Sequence, residues 1–249
     1  MGAARINAYL VCGGRFHDMD FARLELLKLL HEHENIRVRV AENYSDSAAI
    51  AAADFLISYT CDVIPPEEQQ ETLEQFVNGG KRWLALHGTN SILKFVKGKG
   101  WTAPRTAPKF MRLLGSQFIA HPPIAPYRVE VSDPAHPLVR GIEAFDADDE
   151  LYLCEYAEGN HALLHAKFTG EAQGFAESKW REEKPRLVLY LRSVGAGELL
   201  YCTLGHCRGR YDMQPLMAEY PTVERGSWKL PVFYDLLRRG IRWASRLDS

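Results

Sequence analysis

Apolar and polar positions along this chain follow two different periods. INAYLVCGG (6–14) is a continuous apolar run closed by Gly13–Gly14, which predicts a buried strand and a turn. FARLELLKLLHEH (21–33) then repeats its apolar residues at helical spacing, with Asp20 placed to cap it. NIRVRVAE (35–42) alternates as an edge strand does, and ADFLISYTC (53–61) reads as a central strand. Pro65–Pro66 opens EEQQETLEQFVNGG, a helix with an acidic first turn and glycine beyond its end. Trp83, Leu84, Ala85 and Leu86 make a run too short for a helix, so they predict a parallel strand that ends at His87–Gly88. Strand, helix and strand in repetition predict a parallel sheet with right-handed crossovers and helices on both faces.

Beyond His87 the pattern loosens. NSILKFV predicts the start of a helix, KGKGWTAPRTAP a long loop, and KFMRLLGSQF a short helix. From 126 onward YRVEV, ELYLCEY, HALLHAKF, RLVLYLRS and ELLYCTL are short and apolar, which predicts antiparallel or mixed strands added to the same sheet. WKLPVFYDLLRRGIRWASRL (228–247) returns to helical spacing, with Pro231 near its start and Phe233, Leu236, Leu237, Ile241 and Trp243 facing the sheet. No linker, repeat or low-complexity tract interrupts the chain, so residues 1–249 read as a single domain.

Chemistry-bearing residues collect where the parallel strands should end. Gly13, Gly14, Arg15, Phe16, His17 and Asp18 follow the first run, and Thr60, Cys61 and Asp62 follow the third. His87, Gly88, Thr89 and Asn90 follow the fourth, while Gly205 and His206 follow the last. In open α/β sheets ligands sit beyond the carboxyl ends of the strands, and glycine there allows a tight turn or a close backbone approach. Three of the nine histidines stand directly at such ends. His121, before two prolines, and Glu150, next to an apolar run, join them as candidates. Asp146, Asp148 and Asp149 read as a solvated acidic loop. His31, His33, His136, His161 and His165 read as structural.

Imidazoles with one carboxylate serve two kinds of chemistry. They bind a divalent ion such as zinc, manganese or iron, leaving a position open for substrate. They also transfer protons without metal, because imidazole titrates near neutrality. No HExxH spacing selects the metal, and both uses stay open. GxGxxG, GxxxxGK[ST] and GxSxG are absent, so no nucleotide cofactor is expected.

Composition narrows the partners. The 249 residues are 46% hydrophobic and 25% charged, with 30 basic and 32 acidic side chains. Such a balance gives no field for nucleic acid or an anionic membrane. The five cysteines form no CxxC pair and their odd number cannot pair within one chain, which fits free thiols in a reducing cytoplasm. No run approaches about 18 apolar residues, and the N-terminus has no signal-peptide organisation. Homo-oligomerisation is left open.

Six motifs, in order, resemble the trehalose-utilisation ThuA-like family: CGGRFHD near the start, LALHGTNS (84–91), FIAHPP (118–123), DPAHPLVRGI (133–142), DELYLC (149–154) and LLYCTLGH (199–206). The resemblance implies a three-layer α/β sandwich with a mostly parallel central sheet, like class I glutamine amidotransferases and flavodoxin, carrying extra antiparallel strands in its second half. It also implies that His17, His87, His121, Glu150 and His206 line the pocket. In the amidotransferases a cysteine stands at the elbow that His87 occupies here, so thiolate-driven glutamine hydrolysis is not expected. Thr89 and Asn90 stand where the family often has alanine and threonine.

The expected function is carbohydrate catabolism: elimination, hydration, hydrolysis or isomerisation of a sugar or 3-keto-glycoside. His87 is the preferred base, with His206 and His121 as acid or metal ligands and Glu150 orienting an imidazole. A subset of His17, His87, His121, Glu150 and His206 would hold the ion, and His17, Asp18, Gly88, Thr89, Asn90 and Trp101 would meet the substrate. The alternative is a non-catalytic sugar or effector-binding protein regulating carbohydrate use, with Trp101 stacking on a sugar ring.

Overall fold

A computed structural model describes residues 4–247. The first half is strand–helix in alternation: β1 (Ile6–Gly14), α1 (Met19–Leu30), β2 (Ile36–Ala41), α2 (Ser47–Ala52), β3 (Phe55–Cys61), α3 (Glu67–Asn78) and β4 (Arg82–Leu86). A short 3-10 turn, His87–Asn90, leads to a hairpin of β5 (Lys94–Val96) and β6 (Gly100–Thr102), then α4 (Pro108–Leu114). The second half is strands: β7 (Ser116–Ala120), β8 (Ala125–Val131), β9 (Phe145–Asp149), β10 (Leu153–Tyr156), β11 (Asn160–Lys167), β12 (Gly170–Glu171), β13 (Lys179–Trp180), β14 (Pro185–Val194) and β15 (Gly197–Cys202). α5 (Pro231–Ser245) closes the fold.

Nine strands form one sheet in the order β2-β1-β3-β4-β15-β14-β11-β8-β9. The pairings from β2 to β15 are parallel and those from β15 to β9 antiparallel. The parallel half has the flavodoxin strand order, whose switch point lies between β1 and β3. Side chains alternate across it. Leu10, Ile57, Leu84 and Leu200 enter a core with Leu26, Leu30, Leu237 and Ile241 of α1 and α5. Val11, Leu56, Trp83 and Leu199 enter the opposite core with Ile50, Leu73, Phe76 and Phe110 of α2, α3 and α4. Two faces covered by helices explain why β3 and β4 read as unbroken apolar runs.

Several expectations need correction. The cap of α1 is Asp18, whose side chain accepts from the Phe21 N–H at 3.1 Å, while Asp20 lies in the first turn. Residues 91–96 form no helix; KFV pairs with GWT as the β5–β6 hairpin. KFMRLLGSQF divides at Gly115, whose φ of +82° ends α4 before the strand β7. ELYLCEY does not join the main sheet, because β10 pairs with β7. The acidic stretch before Glu150 is not a loop but the edge strand β9, paired to β8. Trp243 lies at the rim of the core, with the Arg82 guanidinium 5.0 Å over its ring.

Candidate functional site

Four parallel strands, β1, β3, β4 and β15, end on one edge, and each is followed by a residue with positive φ: Phe16 (72°), Asp62 (59°), His87 (44°) and Gly205 (121°). Such conformations are costly for residues other than glycine and cluster at functional sites. They turn the chain so that His17, His87 and His206 converge. Gly88 serves by close approach, because a Cβ there would lie 2.7 Å from the Thr60 carbonyl oxygen and 2.8 Å from Cys61 Cβ. His87 itself supplies the left-handed turn.

Glu150, at the end of β9, is the hub. Its carboxylate lies 3.8 Å from His17 Nε2, 3.5 Å from His87 Nε2, 3.7 Å from His121 Nε2 and 3.1 Å from His206 Nδ1. Ligand atoms of His17, His87, Glu150 and His206 all lie within 4.8 Å of one another, and all four side chains are buried. His121 is 23% exposed and faces the cleft.

Hydrogen bonds fix which imidazole nitrogens are free. The His87 Nδ1–H donates to the Thr203 carbonyl at 2.7 Å, leaving Nε2 as the lone pair that accepts from Tyr152 Oη at 3.3 Å. The His121 Nδ1–H donates to the Pro122 carbonyl at 2.7 Å, so its Nε2 also points inward as an acceptor. The His206 Nε2–H donates to Glu224 at 2.7 Å, while Nδ1 is too misaligned with Glu150 for a hydrogen bond. Both nitrogens of His17 are buried without a partner. Carbonyl and carboxylate partners behind an imidazole are the usual outer support of a metal ligand.

The charges interlock. Burial would push the Glu150 carboxyl up, but the neighbouring His206 and His121 imidazoles hold it well below the ordinary carboxylate range. Burial, reinforced by His87, keeps His17 neutral by pushing it well below the usual imidazole value. Burial opposes protonation of His206, yet Glu150 and Glu224 outweigh it and raise this imidazole to about 9. Arg208 completes the network, donating to Glu150 at 3.4 Å, to Glu224 at 3.1 Å and to the Phe16 carbonyl at 3.1 Å.

Above the cluster opens a cleft of about 340 Å³ lined by His17, His121, Glu150 and Tyr152, with Phe16, Trp101 and Phe175 among its walls. The other predicted contacts stand behind it. Asp18 caps α1 and pairs with Arg225 at 3.1 Å. The Thr89 hydroxyl donates to the Leu86 carbonyl at 2.8 Å, and Asn90 donates to Ser116 at 2.6 Å, so they brace the elbow from below. With Gly88 they lie outside the lining of the cleft. The structural histidines stay apart: His161 pairs with Asp133 and His165 with Glu130.

Three residues escaped the sequence reading. Glu224 and Arg208 come from the long segment after β15, where no periodicity marks them. Asp149, 1% exposed, accepts from the backbone N–H groups of Glu150 at 2.8 Å, Gly205 at 3.0 Å, His206 at 3.1 Å and Ser227 at 2.9 Å. It locks the end of β9 to the turn carrying His206. Cys61 lines the cleft, and burial pushes its thiol far up, which disfavours the thiolate that a nucleophile needs.

Fold and site together define a flavodoxin-like α/β protein with a histidine–carboxylate cluster at the carboxyl edge of its sheet. The chain belongs to the trehalose-utilisation family, ThuA, whose profile matches residues 9–219. Family membership places it in carbohydrate utilisation. A ThuA-like protein from Bacteroides uniformis superposes with a TM-score of 0.68 at 16% identity, over 98% of this chain and 93% of that one. One from Parabacteroides merdae gives 0.62 at 17%, over 97% and 90%. A cold-adapted β-galactosidase from Rahnella sp. R3 gives 0.58 at 13%, over 98% of this chain and 32% of its own. At these identities the likeness is one of fold. No curated protein matches the sequence. Among the described residues no helix is long and apolar enough to cross a membrane.

Proposed function

We propose that this chain is an enzyme of carbohydrate utilisation that transforms a sugar or 3-keto-glycoside by proton transfer beside a divalent ion held by His17, His87, Glu150 and His206. One observation carries the reading: two buried imidazole nitrogens, Nε2 of His17 and Nδ1 of His206, have no hydrogen-bond partner and lie 3.8 and 3.1 Å from the Glu150 carboxylate. Buried polar atoms left unpaired are costly, and an ion would satisfy them together. Three imidazoles and a carboxylate suit zinc, manganese or iron. When bound, the ion supplies a Lewis acid for a substrate oxygen gaining negative charge.

His121 is the base in this scheme. It is the cluster imidazole with solvent access, and its Nε2 is a lone pair because Nδ1–H is held by Pro122. His87, preferred on sequence grounds, is fully buried with Nε2 turned to Glu150 and Tyr152. A ketone at C3 acidifies the C2 proton, and His121 Nε2 accepts it. In the elimination form the C1–O bond then breaks, C1=C2 forms, and the leaving oxygen takes a proton.

Elemental analysis of untagged protein after metal supplementation, paired with turnover of 3-keto-glycosides, tests this. The expected result is about one ion per chain, lost in H17A and H206A, with H121A retaining the ion but losing turnover by about 100-fold or more. Turnover indifferent to chelators, with no retained ion, would sink the metal reading. Ligand binding without product across natural and keto-sugars, with and without metals, would leave a sugar-binding protein instead.

A further inference from the structure

The walls of the cleft differ in kind from its floor. Above the histidines, Phe16 meets Trp101 edge-on at 5.5 Å between ring centroids, and Phe175 meets Phe118 at 5.8 Å and His121 at 5.0 Å. Trp101 and the turn before Phe175 are one piece of backbone: the Trp101 N–H donates to the Gly174 carbonyl at 2.8 Å, and the Ala176 N–H to the Trp101 carbonyl at 2.8 Å. These aromatic rings are therefore set before any ligand arrives.

Polar capacity on these walls is already committed. The Tyr220 hydroxyl donates to Glu224 at 3.1 Å, and Tyr152 is engaged with His87. Arg208, the one cationic side chain of the lining other than the histidines, spends its guanidinium on Glu150, Glu224 and Phe16. Gln173, at the rim, is left for a ligand. A second pyranose would bury hydroxyls against these walls without partners, and a phosphate or carboxylate would find no free cation. A flat aromatic ring meets neither obstacle and gains edge and face contacts with the rings present. About 340 Å³ is at the small end of ligand sites, room for a glycone and one further ring.

We propose that the aromatic half of the cleft is an aglycone subsite and that the preferred ligand is an uncharged aryl glycoside. The proposal rests on the sugar reading above only for placing the glycone over the histidines. Calorimetric titration of the intact protein with phenyl glucosides, methyl glucosides, trehalose and glucose 6-phosphate tests it. Phenyl glucoside should bind at least about tenfold more tightly than methyl glucoside, with trehalose and the phosphate no tighter than methyl glucoside. Trp101→Ala should shrink the ratio of phenyl to methyl glucoside affinity to about threefold or less, and Phe175→Leu provides the same readout should the first variant not fold. Equal affinities, a preference unchanged in both variants, tighter binding of trehalose or the phosphate, or no binding of phenyl glucoside would overturn it. Turnover and ion content are read separately. An inactive, metal-free protein that still prefers the phenyl glucoside would keep the aglycone subsite and remove the enzyme reading.

Discussion

His206 donates its Nε2–H to Glu224 Oε2 at 2.7 Å, across a gap of eighteen residues. The bond orients the ring so that Nδ1 faces Glu150, and the carboxylate behind it makes the imidazole a stronger donor. Glu224→Gln should therefore weaken ion binding by about 10- to 100-fold while the fold persists. Metal titration with a competing chelator, alongside circular dichroism, checks it. Unchanged affinity would show that Glu224 only neutralises Arg208, to which it is also paired at 3.1 Å.

Asp149 supports the site from below, and its loss should be felt first in stability. Its carboxylate serves four backbone N–H groups in a dry environment. Asp149→Ala leaves those donors unpaired and should cost about 3 kcal/mol or more, since a buried orphan donor costs about 1–3 kcal/mol and water can enter only part of the space. Asp149→Asn, which keeps an acceptor, should cost less. Urea unfolding of the three proteins gives the comparison; equal midpoints would refute the clamp.

The contrast between these supports and the histidines explains what the sequence could reveal. β1, β3, β4 and β15 are apolar because both faces of the parallel half are covered, so their ends, and with them His17, His87 and His206, could be located from hydrophobicity alone. β9 is FDADD, and its strand character comes from backbone pairing with β8 at a sheet edge, which leaves no apolar signature. Asp149 looks like its solvated neighbours Asp146 and Asp148 and differs only in what its end of the strand meets. β10 has the same apolar pattern as a sheet strand, yet pairs with β7 instead; side-chain period says nothing of partner. Asp18 stands beside His17 in sequence, but the start of α1 takes its carboxylate. Glu224 and Arg208 reach the cluster through tertiary folding of an irregular segment.

Gly88 is where the elbow touches β3. A methyl group there would sit 2.7 Å from the Thr60 carbonyl oxygen and 2.8 Å from Cys61 Cβ, contacts that demand backbone movement. Gly88→Ala should destabilise by about 1–3 kcal/mol and shift His87 away from Glu150, lowering ion affinity as well. Thermal unfolding and metal titration measure the two effects. A stable variant with full affinity would mean that the elbow accommodates the methyl group by a shift that spares His87.

The cysteines provide a test that needs neither substrate nor metal. Cys12, Cys61, Cys154, Cys202 and Cys207 are all free and buried. Burial is the leading cause that raises each thiol, to about 12 for Cys12, Cys154, Cys202 and Cys207 and further still for Cys61. A thiol reacts as its thiolate, so the native protein should resist alkylation at pH 8 even at Cys61 on the cleft wall. The unfolded chain, with thiols near their ordinary value of about 8.5, should react at all five. Raising the pH to 9 should leave native reactivity low, because the shifted thiols remain protonated there. Mass spectrometry after brief iodoacetamide exposure, with and without urea, counts the labels. Rapid native labelling of Cys61 would show a thiolate at the cleft and reopen the thiol chemistry that the histidine elbow argues against.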